Sequence, residues 1–263
     1  MNMHREPDGH RAKKSLGQNF LQDDNICRKI VDALDIGPAD RIIEIGPGQG
    51  ALTRFIADAA PGRFTAVEKD DSLADLLEAG FPSVEVVRQD ALKYPWAELT
   101  EAQPCKIVGN LPYNIGSKLI WDIVSTATGM ERAVFMVQHE VALRLTAAPG
   151  GKAYGGLTAW VKNFCAPRYL FKVPPTVFRP RPKVDSAVVL FIPLPPDSRP
   201  EHPEKLSRLL KLLFQQRRKQ ISTILRKEWS AGTEQWFADQ GLDPRLRPEN
   251  LSPEQLRALS VVF

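Results

Sequence analysis

Apolar and polar positions change period along this chain, and the changes mark out its elements. "DDNICRKIVDAL" (23–34) brings Ile26, Ile30, Val31 and Leu34 onto one face of a helix. From residue 41 the runs shorten. "RIIEIG" (41–46), "FTAVEKD" (64–70), "VEVVRQD" (84–90), "KIVGN" (106–110) and "RAVFMVQ" (132–138) are short and nearly continuously apolar, as strands covered on both faces are. "GALTRFIADAA" (50–60) and "DSLADLLEAG" (71–80) carry helical spacing between them. Strand and helix alternating at this interval predict βαβ units and a mostly parallel sheet, an α/β fold.

The pattern changes again after Gly155-Gly156. A helix-like run leads into "LFKVPPTVFRPRPKVDSAVVLFIPLPP", whose prolines exclude a helix through 174–182. "VDSAVVLFI" (184–192) reads as a late strand of the same sheet, and "PLPPDSRP" (193–200) as a linker. Beyond it the pattern is helical only. "LSPEQLRAL" carries a helix start, with Ser252 as cap, Pro253 in the first turn and Gln255 three residues after the cap. The expected organisation is an N-terminal arm over 1–22, an α/β domain over 23–195 and a small all-helical domain over 196–263.

Composition narrows the classes of function. The net charge is +4 and the isoelectric point near 9.0, a mild bias toward an anionic partner. Cys27, Cys105 and Cys165 are scattered and form no C-x-x-C pair, which argues against a disulfide framework or zinc knuckle and fits a reducing cytoplasm. The opening "MNMHREPDGHRAKK" is polar and basic, unlike a secretory signal. No apolar run approaches the ~18 residues that cross a bilayer. His139 begins the helical pattern "HEVALRL" without a Cys or second His at ligand spacing, so no metal is indicated.

Candidate chemistry begins in "EIGPGQGALT" (44–53), which closes the first long strand and opens a helix. Gly46, Gly48 and Gly50 allow a tight turn and close approach to a ligand. Glu68 ends the next strand about twenty residues on, where an acid binds ribose hydroxyls. Two cofactors fit. Gly46-x-Gly48-x-x-Ala51 satisfies a dinucleotide fingerprint, with a pyrophosphate at the helix N-terminus. S-adenosyl-L-methionine instead carries a positive sulfonium and gains from nearby carboxylates. Glu44, Glu68 and Asp90 at or near the ends of successive strands favour the methyl donor.

"GNLPYNIGS" (109–117) follows the apolar Ile107-Val108. An exocyclic aromatic amine such as N6 of adenine is a poor nucleophile, because its lone pair is delocalised into the ring. Two acceptors aimed at its hydrogens would localise that pair: the Asn110 side-chain oxygen and the Leu111 carbonyl. Pro112 stiffens the turn and donates no N–H, and Tyr113 supplies a ring for the base to stack on. Asn and Pro would also suit a plain turn; the strand, Gly loop and spaced acids upstream favour chemistry.

These blocks, together with "KKSLGQNFL" (13–21), "KAYGGLT", "VPPTVFRPRPKVDSAV", "FQQRRK" and "GLDPRLRPENLS", occur in order over nearly the whole chain. The sequence resembles the small-subunit (16S) ribosomal RNA adenine N6-dimethyltransferases, the KsgA/RsmA group. The resemblance implies a Rossmann-like S-adenosylmethionine-dependent methyltransferase sheet with a helical C-terminal domain that binds RNA. It implies transfer of two methyls to N6 of each of two adjacent adenosines near the 3′ end of 16S rRNA, and a role in small-subunit biogenesis. It suggests that Asn19, Leu21, Gly46, Glu68, Asp90 and Asn110 contact the methyl donor, Glu68 at its ribose and Asp90 at its adenine. Gln18, Lys69 and Ala91 beside them are further candidates. Asn110, Leu111, Pro112 and Tyr113 would present the target base, and Phe178 would stack on it from the other side. Leu16 stands where many relatives have Phe.

Basic residues suit that substrate. Arg217, Arg218, Lys219, Arg226 and Lys227 accompany an apolar helical stripe of Leu212, Leu213, Ile221 and Leu225. Arg11, Lys13 and Lys14 lie in the arm, and Arg179, Arg181 and Lys183 surround Phe178. A cytoplasmic monomer acting on the small ribosomal subunit or its assembly intermediate is expected. The competing readings are an adenine methyltransferase for large-subunit rRNA or DNA, a non-catalytic RNA-binding assembly or transcription factor, and, more distantly, a nicotinamide-dependent oxidoreductase.

Overall fold

The computed structural model describes residues 17–263. In chain order the elements are β1 (Phe20–Leu21), α1 (Asp24–Asp32), β2 (Arg41–Ile45), α2 (Thr53–Asp58), β3 (Arg63–Glu68), α3 (Asp71–Gly80), β4 (Glu85–Arg88), β5 (Cys105–Asn110), α4 (Gly116–Thr126) and β6 (Met130–Gln138). They continue with α5 (His139–Thr146), α6 (Gly156–Lys162), β7 (Cys165–Val173), β8 (Phe178–Arg179), β9 (Ser186–Pro193), α7 (Pro203–Gln215), α8 (Ile221–Ile224), α9 (Ala231–Asp239) and α10 (Pro253–Val262).

Two compact units result. One comprises the described part of Met1–Ala142 with Arg168–Ile192; the other comprises Leu143–Pro167 with Pro193–Phe263. A single cut at residue 195 therefore differs from the observed grouping, because helix packing joins segments distant in sequence. Within the second unit α6 packs on α7 and α10. There the Asn163 amide donates to the carbonyls of Ala159 and Pro253, and Leu194 N–H to Phe164 O. The Ser252–Gln255 capping box opens α10 as its sequence predicts.

The first unit is built on a seven-stranded sheet of order β4-β3-β2-β5-β6-β9-β7. β4, β3, β2, β5 and β6 run parallel, and β9 lies antiparallel to β6. Ile42, Ile43 and Ile45 of β2 and Ile107 and Val108 of β5 are almost fully buried, which is why these runs read as uninterrupted apolar stretches. Asp23 caps α1 by accepting from the N–H groups of Asn25 and Ile26, and the helix buries Cys27, Ile30 and Val31. The connections leave β2 in one direction toward β3 and β4, while β5 and β6 extend the other way. This reversal opens a crevice at the strand carboxyl ends, the usual ligand position in open α/β sheets. At Gly109 a Cβ would lie 2.8 Å from Ile45 O, so only glycine lets β2 and β5 run this close beside the crevice.

Three elements depart from the sequence-based reading. The residue pattern alone does not announce β7: its apolar spacing is irregular and it contains Pro167, which is tolerated because β7 is the edge of the sheet. β1 and β8 form a separate two-stranded ladder, pairing Phe20 with Arg179 and Leu21 with Phe178. Finally, 211–227 is not one helix. α7 stops at Gln215 and α8 starts at Ile221, so Arg217, Arg218 and Lys219 occupy the turn between them. Leu213, Ile221 and Leu225 are buried as the stripe requires, and Leu212 is half-buried. Among the described residues no helix is long and apolar enough to cross a membrane.

Candidate active site

The crevice holds a concave pocket within the first unit, assembled from the tails of β2, β3, β4 and β5 and from the segment around β1. After β2 the chain turns through a loop in which Gly46, Gly48 and Gly50 all have positive φ. A Cβ on Gly48 would sit 3.0 Å from the Phe20 ring, so this glycine keeps the loop and the aromatic lip apart. Gly48 N–H donates to Glu68 Oε2 at 3.1 Å, while Glu68 Oε1 accepts from the N–H groups of Lys69 and Asp70 at 2.8 and 2.9 Å. Glu68 therefore ties the glycine loop to the end of β3. With three backbone donors engaged, its carboxylate keeps capacity for about one more, such as a hydroxyl. Burial raises its pKa, and the three N–H bonds oppose the rise.

The other acids differ sharply from one another. Glu44 is 1% exposed on β2 and lines the pocket, with the Thr53 hydroxyl donating to its Oε2 at 2.7 Å. Burial, with the nearby Glu68 charge adding, pushes its pKa up to about 8. It is thus mostly uncharged at neutral pH. Asp90 accepts from Lys69 Nζ at 2.8 Å and from Leu92 N–H at 3.0 Å, and these hold its pKa below the usual carboxylate range. The expectation placed three acids here, and their states differ: burial favours the neutral form of Glu44, Asp90 is paired with Lys69 and Glu68 is wrapped by backbone amides. Asp70, absent from that expectation, is buried and accepts from the Gln18 amide at 3.2 Å.

The tail of β5 lies beside this loop. Asn110 Nδ2 donates to Asn19 O at 3.0 Å, and Asn19 Nδ2 to Gly17 O at 3.1 Å. Because only the nitrogen of the amide can donate to a carbonyl, the first bond fixes which way Asn110 faces and leaves Oδ1 as an acceptor. Pro112 and Tyr113 line the pocket next to it, and Tyr113 Oη is 2.7 Å from Ser186 Oγ. Burial raises the Tyr113 pKa against the Ser186 bond.

Gln18, Asn19, Leu21, Glu44, Gly46, Gly48, Glu68, Lys69, Asp90, Ala91 and Asn110, all predicted, come together here. Gly50 does not: it sits behind the loop, where a Cβ would lie 2.8 Å from the Phe81 ring. The Leu111 side chain is buried and its N–H donates to Met136 O, so any part it plays is through its backbone carbonyl. Phe178 does not join them. Its ring is 2% exposed, packed in the apolar core cluster and paired across the ladder with Leu21, not open to the pocket. Residues that sequence reasoning missed include Phe20, Gln89 and Asn114 on the pocket wall. Phe20, Gln89 and Asn114 lie inside the quoted blocks "KKSLGQNFL", "VEVVRQD" and "GNLPYNIGS", and Ser186 inside "VDSAVVLFI", where it read only as part of a strand.

Arg179, Arg181 and Lys183 are exposed in the first unit. In the second unit Arg218, Lys219, Arg226 and Lys227 are exposed, and Arg217 is half-buried with its guanidinium donating to Lys152 O at 3.2 Å. Arg11, Lys13 and Lys14 lie outside the described residues. Among the described residues no cluster of His, Cys, Asp and Glu could hold a metal ion.

Comparison with known proteins fits this geometry. A family model described as ribosomal RNA adenine dimethylase matches residues 9–262. The ribosomal RNA small subunit methyltransferase A of Maridesulfovibrio salexigens is 56% identical over 250 residues, covering 95% of each chain. That of Oleidesulfovibrio alaskensis is 53% identical over 254 residues, covering 95% of this chain and 90% of the relative. Among solved structures, a dimethyladenosine transferase from Plasmodium falciparum superposes with a TM-score of 0.75 at 26% identity, over 91% of this chain and 95% of that one. The 23S rRNA methyltransferase ErmE does so with a TM-score of 0.68 at 26% identity, over 92% and 98%. The seven-stranded sheet is accordingly a methyltransferase sheet, and the chain belongs to the ribosomal RNA adenine dimethylase family.

Proposed function

We propose that the chain transfers methyl groups from S-adenosyl-L-methionine to N6 of two adjacent adenosines near the 3′ end of 16S rRNA, giving N6,N6-dimethyladenosine during small-subunit biogenesis in the cytoplasm. The observation that carries the reading is the Asn110 amide. Its nitrogen is committed to Asn19 O, so its oxygen is the acceptor presented beside Tyr113 at the end of β5.

The pocket residues fit the donor's chemistry. Gly48 keeps the loop backbone bare and Glu68 retains capacity for a hydroxyl. Among the described lining residues the carboxyls outnumber the cation Lys69, which Asp90 holds. A pyrophosphate would find little to bind, which disfavours a nicotinamide cofactor. When bound, S-adenosylmethionine supplies an electrophilic methyl carbon on a positive sulfur.

The chain's own task is to prepare the amine. In the first transfer Asn110 Oδ1 and the Leu111 carbonyl accept the two N6 hydrogens and draw the lone pair out of conjugation with the ring; in the second, one of them accepts the single hydrogen left on N6-methyladenosine. Pro112 stiffens the turn between them, and Tyr113 gives the base a face to stack on. Tyr113 stays a neutral phenol at working pH and takes no proton. No strong base is needed, because a methylated ammonium nitrogen loses its proton readily to water; positioning carries the rate. The adenosine must leave its helical stack, at a cost of a few kcal/mol that is smaller in a loop. Arg179, Arg181 and Lys183, with Arg218, Lys219, Arg226 and Lys227, supply phosphate contacts.

The test is methyl transfer from labelled S-adenosylmethionine to unmodified small subunits, large subunits and duplex DNA, with the label mapped. Dimethyladenosine in small-subunit RNA is expected. Label confined to large subunits or DNA reassigns the substrate, and donor binding without transfer to any of them makes the chain a non-catalytic RNA-binding factor.

A further inference from the structure

Tyr113 lines the pocket, but its ring is held from outside it. The hydroxyl is 2.7 Å from the Oγ of Ser186, a residue 73 positions away that is fully buried. Ser186 opens β9 and pairs with Gln138 at the end of β6, so the bond runs from the turn after β5 across to an antiparallel strand two places along the sheet. The anchor is itself fixed by its neighbours. Asp185 O accepts the His139 N–H at 2.9 Å, and the Asp185 carboxylate pairs with Lys172 at 2.7 Å.

A tyrosine fastened only through its Cβ keeps freedom about two side-chain torsions. A hydrogen bond at the far end of the ring pins its tip, which fixes the first torsion and so the ring's place on the pocket wall; rotation about the ring's own axis leaves Oη where it is. No proton-transfer task falls to the phenol, since burial keeps it protonated and Asn110 and Leu111 already supply the acceptors. We propose that Ser186 is the positioning residue for Tyr113: its Oγ holds in place the ring on which the target base stacks, so that the base's amino group meets Asn110 Oδ1. This role rests on the chain being an adenine methyltransferase. The bond between the two hydroxyls is a tether, not a proton path, and it costs the reaction nothing in charge.

The test is a double-mutant cycle on the full chain with Ser186→Ala, Tyr113→Phe and both changes. Turnover, KM for the small subunit and donor affinity are measured, together with ¹³C relaxation of labelled tyrosine rings. Each single change is expected to lower kcat by roughly three- to tenfold, the scale of one neutral hydrogen bond, with donor affinity within about twofold. The double variant should be no slower than Tyr113→Phe, because Ser186 acts only through the phenol. In Ser186→Ala the Tyr113 ring should lose order without ligand present. Unchanged ring order, unchanged kcat, or a further equal loss when Ser186→Ala is added to Tyr113→Phe would each overturn the proposal. If the wild-type chain methylates no adenine, the functional reading falls, and ring order alone then decides whether Ser186 is the anchor.

Discussion

Replacing Glu44 with glutamine should make the protein more stable, and increasingly so as pH rises. The carboxyl is 1% exposed, with the Thr53 hydroxyl as its hydrogen-bond donor, and it ionises near about 8 in the fold against 4.5 ordinarily. A group whose folded pKa is raised contributes stability that is full below the unfolded value and lost as pH climbs through the folded one. At about 1.36 kcal/mol per decade, the interval from 4.5 to about 8 corresponds to a ceiling of roughly 5 kcal/mol. Between pH 5 and pH 8 the loss integrates to about 3 to 4 kcal/mol. A glutamine amide keeps an oxygen for Thr53 and cannot ionise. The stability gained by Glu44→Gln, read from urea midpoints, should therefore be small at pH 5 and larger by about 3 kcal/mol at pH 8. Titrating groups that do not interact with Glu44 cancel in the comparison; Glu68, whose charge adds to the Glu44 shift, contributes the smaller coupled part. The gain should be accompanied by weaker donor binding, since a carboxyl that can ionise favours a cationic ligand. A difference in stability that does not vary with pH would refute the account of Glu44 as a carboxyl held neutral by burial.

The remaining expectations concern the loop, the acceptor and the basic surfaces. Gly48→Ala combines a positive φ with a Cβ 3.0 Å from the Phe20 ring; donor affinity by calorimetry should fall at least tenfold, on the scale of a few kcal/mol of local strain. Asn110→Ala should leave donor affinity within about tenfold while turnover drops over ~100-fold, the scale of a missing transition-state acceptor; unchanged turnover would remove its role. Binding of small-subunit RNA should weaken steeply with salt. Changing Arg218, Lys219, Arg226 and Lys227 to alanine should flatten the slope of log affinity against log salt by about 0.7 to 0.9 for each phosphate no longer neutralised, without changing donor affinity.

The sheet was legible because its central strands are buried on both faces. Ile42, Ile43 and Ile45, or Ile107 and Val108, leave no polar alternation to confuse with a helix. The glycine loop and the "NLPYN" turn were legible because their conformations demand particular residue types. What could not be read depends on distant partners. β1 and β8 are two residues each and exist only through their mutual pairing. Phe178 looked available in a Pro-rich loop, yet Leu21 and the core cluster cover it. The break between α7 and α8 has no glycine or proline to announce it; the first N–H groups of α8, of Ile221 and Ser222, go to Leu246 O and Pro244 O in a remote segment. The charge state of Glu44 likewise follows from burial rather than from spelling.

The most direct measurement is the distance from Asn110 Oδ1 to the amino nitrogen of an adenosine bound in the presence of S-adenosylhomocysteine or a sulfonium-like donor analogue. The account predicts hydrogen-bond contact at about 3 Å, with the base lying against Tyr113. A ternary complex with the adenine seated elsewhere, or with the Asn110 amide turned so that its nitrogen faces the base, would contradict it.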